Sequence, residues 1–109
     1  MKFEGVPFSV TDWSKISSVA VRGETGRAVS KEIDQEDVRV RLVEYSADYK
    51  SDHWCTKGHI ALVLDGDLTV ELEDGKNYNL KGDMGLQIGD KVTPHKVCSK
   101  NGARVIIFD

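Results

Sequence analysis

Glycine interrupts the second half of this chain so often that no long helix fits between the interruptions. Gly58, Gly66, Gly75, Gly82, Gly85, Gly89 and Gly102 bound short runs rich in Val, Ile and Leu. Frequent turns around short alternating runs are the pattern of an all-β sandwich or barrel. Earlier in the chain, Val38, Val40 and Leu42 alternate with Arg39, Arg41 and Val43, a period of two that marks a strand. This alternation assigns Arg39 and Arg41 to a solvated face. With the opposite parity Arg41 would enter the barrel, where a guanidinium can clamp a carboxylate with two parallel hydrogen bonds.

Ile60 to Leu64 is continuously apolar, as expected of a strand buried on both faces, and Asp65-Gly66-Asp67 reads as a turn after it. Leu68, Val70 and Leu72 alternate with Thr69, Glu71 and Glu73. Asp74-Gly75 is the strongest short hairpin signal in the sequence. Tyr78 and Leu80 resume the alternation, Lys81-Gly82-Asp83 turns again, Met84, Leu86 and Ile88 follow, and Arg104 to Phe108 forms a final core strand. Eight or more strands joined mostly by short turns imply antiparallel pairing, and closing such a sheet removes exposed edges. The only helical signal is a single turn near Thr11-Asp12-Trp13, with Asp12 as its cap. At 109 residues the chain has room for one domain. The reading is an all-β, antiparallel, single-domain barrel over residues 17–109, preceded by an N-terminal arm over residues 1–16.

Composition narrows the function classes. Net charge is −3, with both signs interspersed, and no Lys/Arg run forms the basic face that nucleic acid requires or that an anionic membrane surface attracts. The segment Met1 to Pro7 lacks a long apolar stretch and a small-residue cleavage pattern, so a signal peptide is not expected. No run of eighteen apolar residues occurs. Two cysteines, Cys55 and Cys98, are too few for a disulfide scaffold and suit a reducing, cytoplasmic setting.

The chemistry-bearing residues are unevenly placed. All three histidines and both cysteines lie after residue 52. His53 and Cys55 are two apart, so on a strand they leave the same face, and His59 follows at another even interval. Gly58 introduces a bend or bulge that weakens this parity. His95 comes from a later strand. A lone histidine is usually a surface residue and a lone cysteine a small buried hydrophobe, but here they cluster at strand-compatible spacing. His53, Cys55, His59 and His95 together form a donor set for one divalent transition-metal ion, zinc before iron or nickel, because imidazole with one thiolate favours softer ions. Four such donors would close a tetrahedral structural site, whereas three would leave a position for water or substrate. Cys55 beside His53 or His59 also has the composition of a Cys–His nucleophile pair. Cys98, three residues from His95, falls on the opposite face. Asp52 is placed to orient an imidazole and Trp54 to pack in a sheet interface; on the opposite parity that brings Arg41 inward, Tyr45 and Tyr49 flank the cavity mouth and supply polar tips.

These residues resemble the two cupin motifs. His53-Trp54-Cys55, His59 and Gly66 fit the spacing of the first, with Ala47 where its leading Gly would stand; Gly82 starts the second, Ile88-Gly89-Asp90 sits where Pro-x-Gly belongs, His95 comes two residues late and Ser99 takes the Asn position. Gly23-Glu24-Thr25-Gly26, Arg41 to Tyr45, Asp52-His53-Trp54-Cys55 followed by Lys57-Gly58-His59-Ile60, and the ending Ile107-Phe108-Asp109 are similar to the small bacterial "DHCW motif" cupin family. The resemblance covers nearly the whole chain and implies a double-stranded β-helix, or jelly-roll, barrel that pairs as a homodimer. It implies a metal-binding cupin with a small-molecule ligand in the barrel. Two functions follow from it: a metal-dependent enzyme (oxygenase, isomerase or lyase) acting on a small organic molecule, or a non-catalytic ligand-binding or structural-metal module. Common metal cupins use His, His, Glu and His. Here Cys55 takes a histidine position and His59 the glutamate position, so carboxylate-ligated iron or manganese chemistry does not transfer directly.

Overall fold

Asp12 organises the start of the ordered chain. In the computed structural model, which describes residues 2–109, its carboxylate accepts from the Ser14 amide at 3.1 Å and from the Ser14 hydroxyl at 2.6 Å. That cap starts a single 3-10 turn, Trp13–Lys15, as the sequence predicts. Among the described residues nine strands follow: β1 (Val19–Arg22), β2 (Arg27–Gln35), β3 (Val38–Tyr45), β4 (Tyr49–Lys50), β5 (His59–Leu72), β6 (Asn77–Lys81), β7 (Gly85–Ile88), β8 (His95–Ser99) and β9 (Ala103–Phe108). Every pairing is antiparallel. The strand order is β1-β2-β3-β9-β5-β8-β4, with β6 and β7 also paired to β5. The sheet curls into a half-barrel. Its two ends approach each other where Thr25 bridges Lys50.

β5 is the hinge of this architecture, and it corrects the turn expected at Asp65-Gly66-Asp67. The strand does not reverse there. Its first half pairs with β7 and β9, and its second half pairs with β6 and β8. The change of partners occurs through a register shift between Val63 and Asp65 and a positive φ of 86° at Gly66, a bulge that bends the strand without ending it. A Cβ at Gly66 would overlap the carbonyl oxygen of Gly102, so only glycine fits. The bend is held by Asp67. Its carbonyl accepts from Ser99 Oγ at 2.6 Å, and its carboxylate accepts from Asn101 Nδ2 at 2.7 Å. The expected hairpin at Asp74-Gly75 is present, with Gly75 N donating to the Leu72 carbonyl at 2.9 Å.

The core draws on the inner faces of both halves of the sheet: Val43, Ala61, Val63, Leu68, Val70, Leu80, Ala103, Val105 and Ile107. Burying each Val or Leu side chain of this set contributes about 1.5–3 kcal/mol. Two further expectations change. Ile60 to Leu64 is not buried on both faces: Ala61 and Val63 point inward, whereas Ile60, Leu62 and Leu64 are exposed. An antiparallel sheet needs cover on one face only. On β3, the face carrying Val40 and Leu42 is the outer one. Val43 and Tyr45 occupy the inner face, and Arg41 goes in with them.

Candidate metal centre

Three donors reach one place by three local routes. His59 is the first residue of β5 and projects inward, the same way as Ala61 and Val63. His95 is the first residue of β8 and is 3% exposed. Cys55 lies outside any strand, but its backbone is docked on His95: Cys55 N donates to the His95 carbonyl at 2.7 Å, and His95 N returns a bond to the Cys55 carbonyl at 3.0 Å. One ligating atom from each of Cys55, His59 and His95 lies within 4.8 Å of the others. The imidazoles of His59 and His95 meet edge to face, centroids 5.1 Å apart.

The fourth predicted donor, His53, is not part of this group. The stretch from Ser51 to Gly58 is irregular, so the even spacing of His53 and Cys55 does not translate into a shared strand face. His53 is 73% exposed, with Nδ1 2.8 Å from Asp52 Oδ1. Asp52 thus orients an imidazole as the sequence suggests, and that hydrogen bond holds the Asp52 carboxyl below its ordinary range. His53 lines the same cavity as the other three without joining their cluster. Gly58 fixes the path of this segment. Its N–H donates to Asp90 Oδ1 at 2.7 Å, and a Cβ there would crowd the backbone of Ile88 and Asp90. Trp54 is not packed between sheets. It is exposed, with Lys96 Nζ 4.5 Å above its ring. Cys98 sits on β8 away from the cluster, and both thiols are free.

The tautomer of His95 follows from its surroundings. Nδ1 lies 3.1 Å from the Thr93 carbonyl oxygen, which can only accept, so Nδ1 carries the proton. Nε2 then presents a lone pair. It is buried and has no hydrogen-bond partner among the described residues. A neutral imidazole anchored through one nitrogen and open at the other is the form that ligates a metal. Burial lowers the pKa of His59, and the nearby His95 and Arg41 add to the effect, so His59 is favoured in its neutral form.

A cavity of about 240 Å³ opens in front of these donors, lined among others by Arg41, Tyr45, Tyr49, Ser51 and Lys96. A larger cleft of about 720 Å³ lies between the β2–β3 hairpin and β7, but His59 is the only member of the cluster that reaches it. The rings of Tyr45 and Tyr49 pack at a tilt of 46°, centroids 4.8 Å apart. Burial pushes the Tyr45 hydroxyl up to about 12, which keeps it protonated. Arg41 replaces the solvated face expected of it. Its Nη2 donates to Asp109 Oδ2 at 3.1 Å, while Arg39 takes the same carboxylate through two bonds of 2.8 and 2.7 Å. Arg41 and Tyr45 are four residues apart and must share a strand face. The opposite parity, which brings Arg41 inward, therefore brings Tyr45 to the cavity with it. The roles of Thr93 and Asp109 left no comparable mark in the sequence.

No family model matches the chain, and no curated protein matches it. Solved structures do. The polyketide cyclase RemF from Streptomyces resistomycificus superposes with a TM-score of 0.79 at 15% identity, over 94% of this chain and 78% of that one. An RmlC-like cupin from Shewanella frigidimarina gives 0.72 at 11% identity, over 95% and 91%. A structure of Fe(II)-HppE with the alternative substrate (S)-1-HPP gives 0.76 at 13% identity, over 94% and 60%. At these identities the likeness is one of fold, and the fold is that of a small cupin.

Proposed function

We propose that this chain is a metal-binding cupin in which Cys55, His59 and His95 hold one divalent transition-metal ion and a small organic molecule is bound and transformed beside it. The observation that carries this reading is the buried, unpartnered Nε2 of His95, because leaving a buried polar atom without a partner costs about 1–3 kcal/mol, a cost that coordination removes. Two imidazoles and one thiol suit zinc, with iron or nickel as the alternatives. The Cys55 thiol gives up its proton on coordination, while His59, already disposed to be neutral, has little proton to release. A metal bound here supplies Lewis acidity or an activated water.

Three protein donors beside a cavity leave a coordination position for water or ligand, the arrangement of reactive rather than structural sites. That favours the enzyme reading (oxygenase, isomerase or lyase), and the similarity in fold to RemF and to Fe(II)-HppE supports it by analogy. The second reading, a closed structural site, draws on His53, which lines the same cavity with its ring fixed by Asp52. Membership of the DHCW-motif family belongs to the proposal too and rests on the run from Asp52 to Ile60. So does a homodimer, which the exposed row Ile60, Leu62 and Leu64 supports. Light scattering would show twice the chain mass if the dimer forms.

Elemental analysis after loading and desalting tests the site. One ion per chain is expected for the wild type and for Cys98→Ser, and loss of the ion for His95→Ala and Cys55→Ala. Wild-type protein that takes up no metal, or metal that survives both losses, would overturn the reading.

A further inference from the structure

The cavity wall has a chemical bias that the metal donors do not explain. Its fixed charges, Arg41 and Lys96, are both positive, and among the described residues no carboxylate side chain lines it. Lys96 directs its Nζ toward Trp54. Arg41 is differently placed. The carboxylate of Asp109 is engaged mainly by Arg39, through Nε at 2.8 Å and Nη2 at 2.7 Å, and Arg41 shares it through a single longer bond. Glu32, opposite Arg41 in the β2–β3 register, has its ion pair with Arg39 at 3.9 Å. Arg41 Nε is buried and has no hydrogen-bond partner among the described residues. A guanidinium cannot shed its proton to relieve this, so the donor calls for an acceptor that enters the cavity.

We propose that the cavity binds a small organic acid anion, with Arg41 as the residue that takes its carboxylate. The inference rests on the metal-cupin reading for identifying this cavity as the ligand site. Asp109 takes a single bond from Arg41 Nη2, which leaves Nε–H and the remaining N–H donors of the guanidinium for a carboxylate. Tyr45, protonated and half-buried on the same wall, adds a neutral donor. The apolar part of the wall, Val43, Leu68, Leu86 and Ile107, covers a short carbon skeleton. With ~30 Å³ as the share of one water, the 240 Å³ volume admits an acid of roughly eight non-hydrogen atoms or fewer. The same carboxylate, or an oxygen next to it, then lies on the wall shared with Cys55, His59 and His95.

Titration calorimetry with pyruvate and succinate, each against its neutral amide, tests this on zinc-loaded and on chelator-treated protein. At least one acid should bind in the millimolar range or better, and its amide about tenfold more weakly or worse, as expected for loss of a charge-assisted hydrogen bond. Arg41→Gln should abolish the preference while the zinc content stays at the wild-type level. Arg41→Lys keeps the charge but not Nε–H, and should weaken acid binding severalfold even if the glutamine variant does not fold. Failure of both acids to bind, equal binding of acid and amide, or an unchanged preference in Arg41→Lys would overturn the proposal. Zinc uptake without acid preference sinks this inference alone. Acid preference in a chain that takes up no zinc sinks the metal reading and leaves Arg41 in its role.

Discussion

Neighbouring rows of the same inner sheet face serve opposite purposes. In one row Val43 on β3 pairs with Val105 on β9, which pairs with Val63 on β5, and Val63 and Val105 are almost fully buried. One inward step along the strands, Arg41 pairs with Ile107 and Ile107 with Ala61, and the next inward residue of β5 is His59. The first row is buried hydrocarbon, and Val43 and Val105 form part of the apolar wall of the cavity. The second borders that cavity with a guanidinium, three imidazoles and a thiol. Pleating moves an inward side chain only two residues per step, so a sheet this short can be core at one end and reactive at the other. The packed rows fix the strands, and the strands fix where His59, His95 and Arg41 point.

Substitutions that separate stability from metal binding test that division. Leu68→Ala removes a fully buried core side chain and should cost about 2–5 kcal/mol in urea unfolding, with the metal content of the folded fraction unchanged. A loss of metal equal to the loss of stability would merge the two regions. Next in size is the stabilisation by metal. Ion present at a hundred times its dissociation constant adds about 2.7 kcal/mol, on the order of 10 °C in a domain of this size. His95→Ala should erase this gap between loaded and chelated melting curves. A surviving gap would place the ion elsewhere.

The Arg39–Asp109 pair, which lines the larger cleft, should show a smaller effect. The hydrogen bond from Arg39 holds the Asp109 carboxyl below its usual pKa. A carboxyl depressed in the folded state contributes its stability above the unfolded pKa and loses it as pH falls through the folded value. Wild type should therefore lose, below about pH 4, about 1 kcal/mol that Asp109→Asn already lacks at neutral pH. Parallel acid-melting curves for the two proteins would contradict the pairing. The smallest expected effect is that of His53→Ala. Its exposed ring should matter little to folding, and one ion per chain should remain, held within about tenfold of wild type. Complete loss of metal would make His53 a fourth ligand and favour the closed structural site.

Much of this fold was legible because local signals and burial agree. Asp74-Gly75 turns where a type suited to hairpins should, and Leu68, Val70 and Leu72 alternate as a half-covered strand does. Parity failed on β3, where the outer residues Val40 and Leu42 are more apolar than the inner residues Arg41 and Tyr45. Hydrophobicity marks the inside only where the inside is packed, and here it is a cavity. The polar strand β2, with Ser30, Lys31, Glu32 and Asp34, carried no alternation to read. The clustering of histidine and cysteine pointed to one part of the molecule, and the structure brings three of the four candidates together there. His53 stays apart because the segment it lies on is not a strand, a tertiary outcome of Cys55 docking on His95 and Gly58 seating against Asp90.

The central claim is that Cys55, His59 and His95 are ligands of one ion, and the visible spectrum of the cobalt-substituted protein tests it most directly. Thiolate coordination gives a sulfur-to-cobalt charge-transfer band, and a thiol that coordinates is deprotonated on the metal. The band should appear with one cobalt per chain, persist in Cys98→Ser, and vanish in Cys55→Ser. A spectrum without that band at full cobalt occupancy, or a band lost with Cys98 and kept without Cys55, would contradict the account.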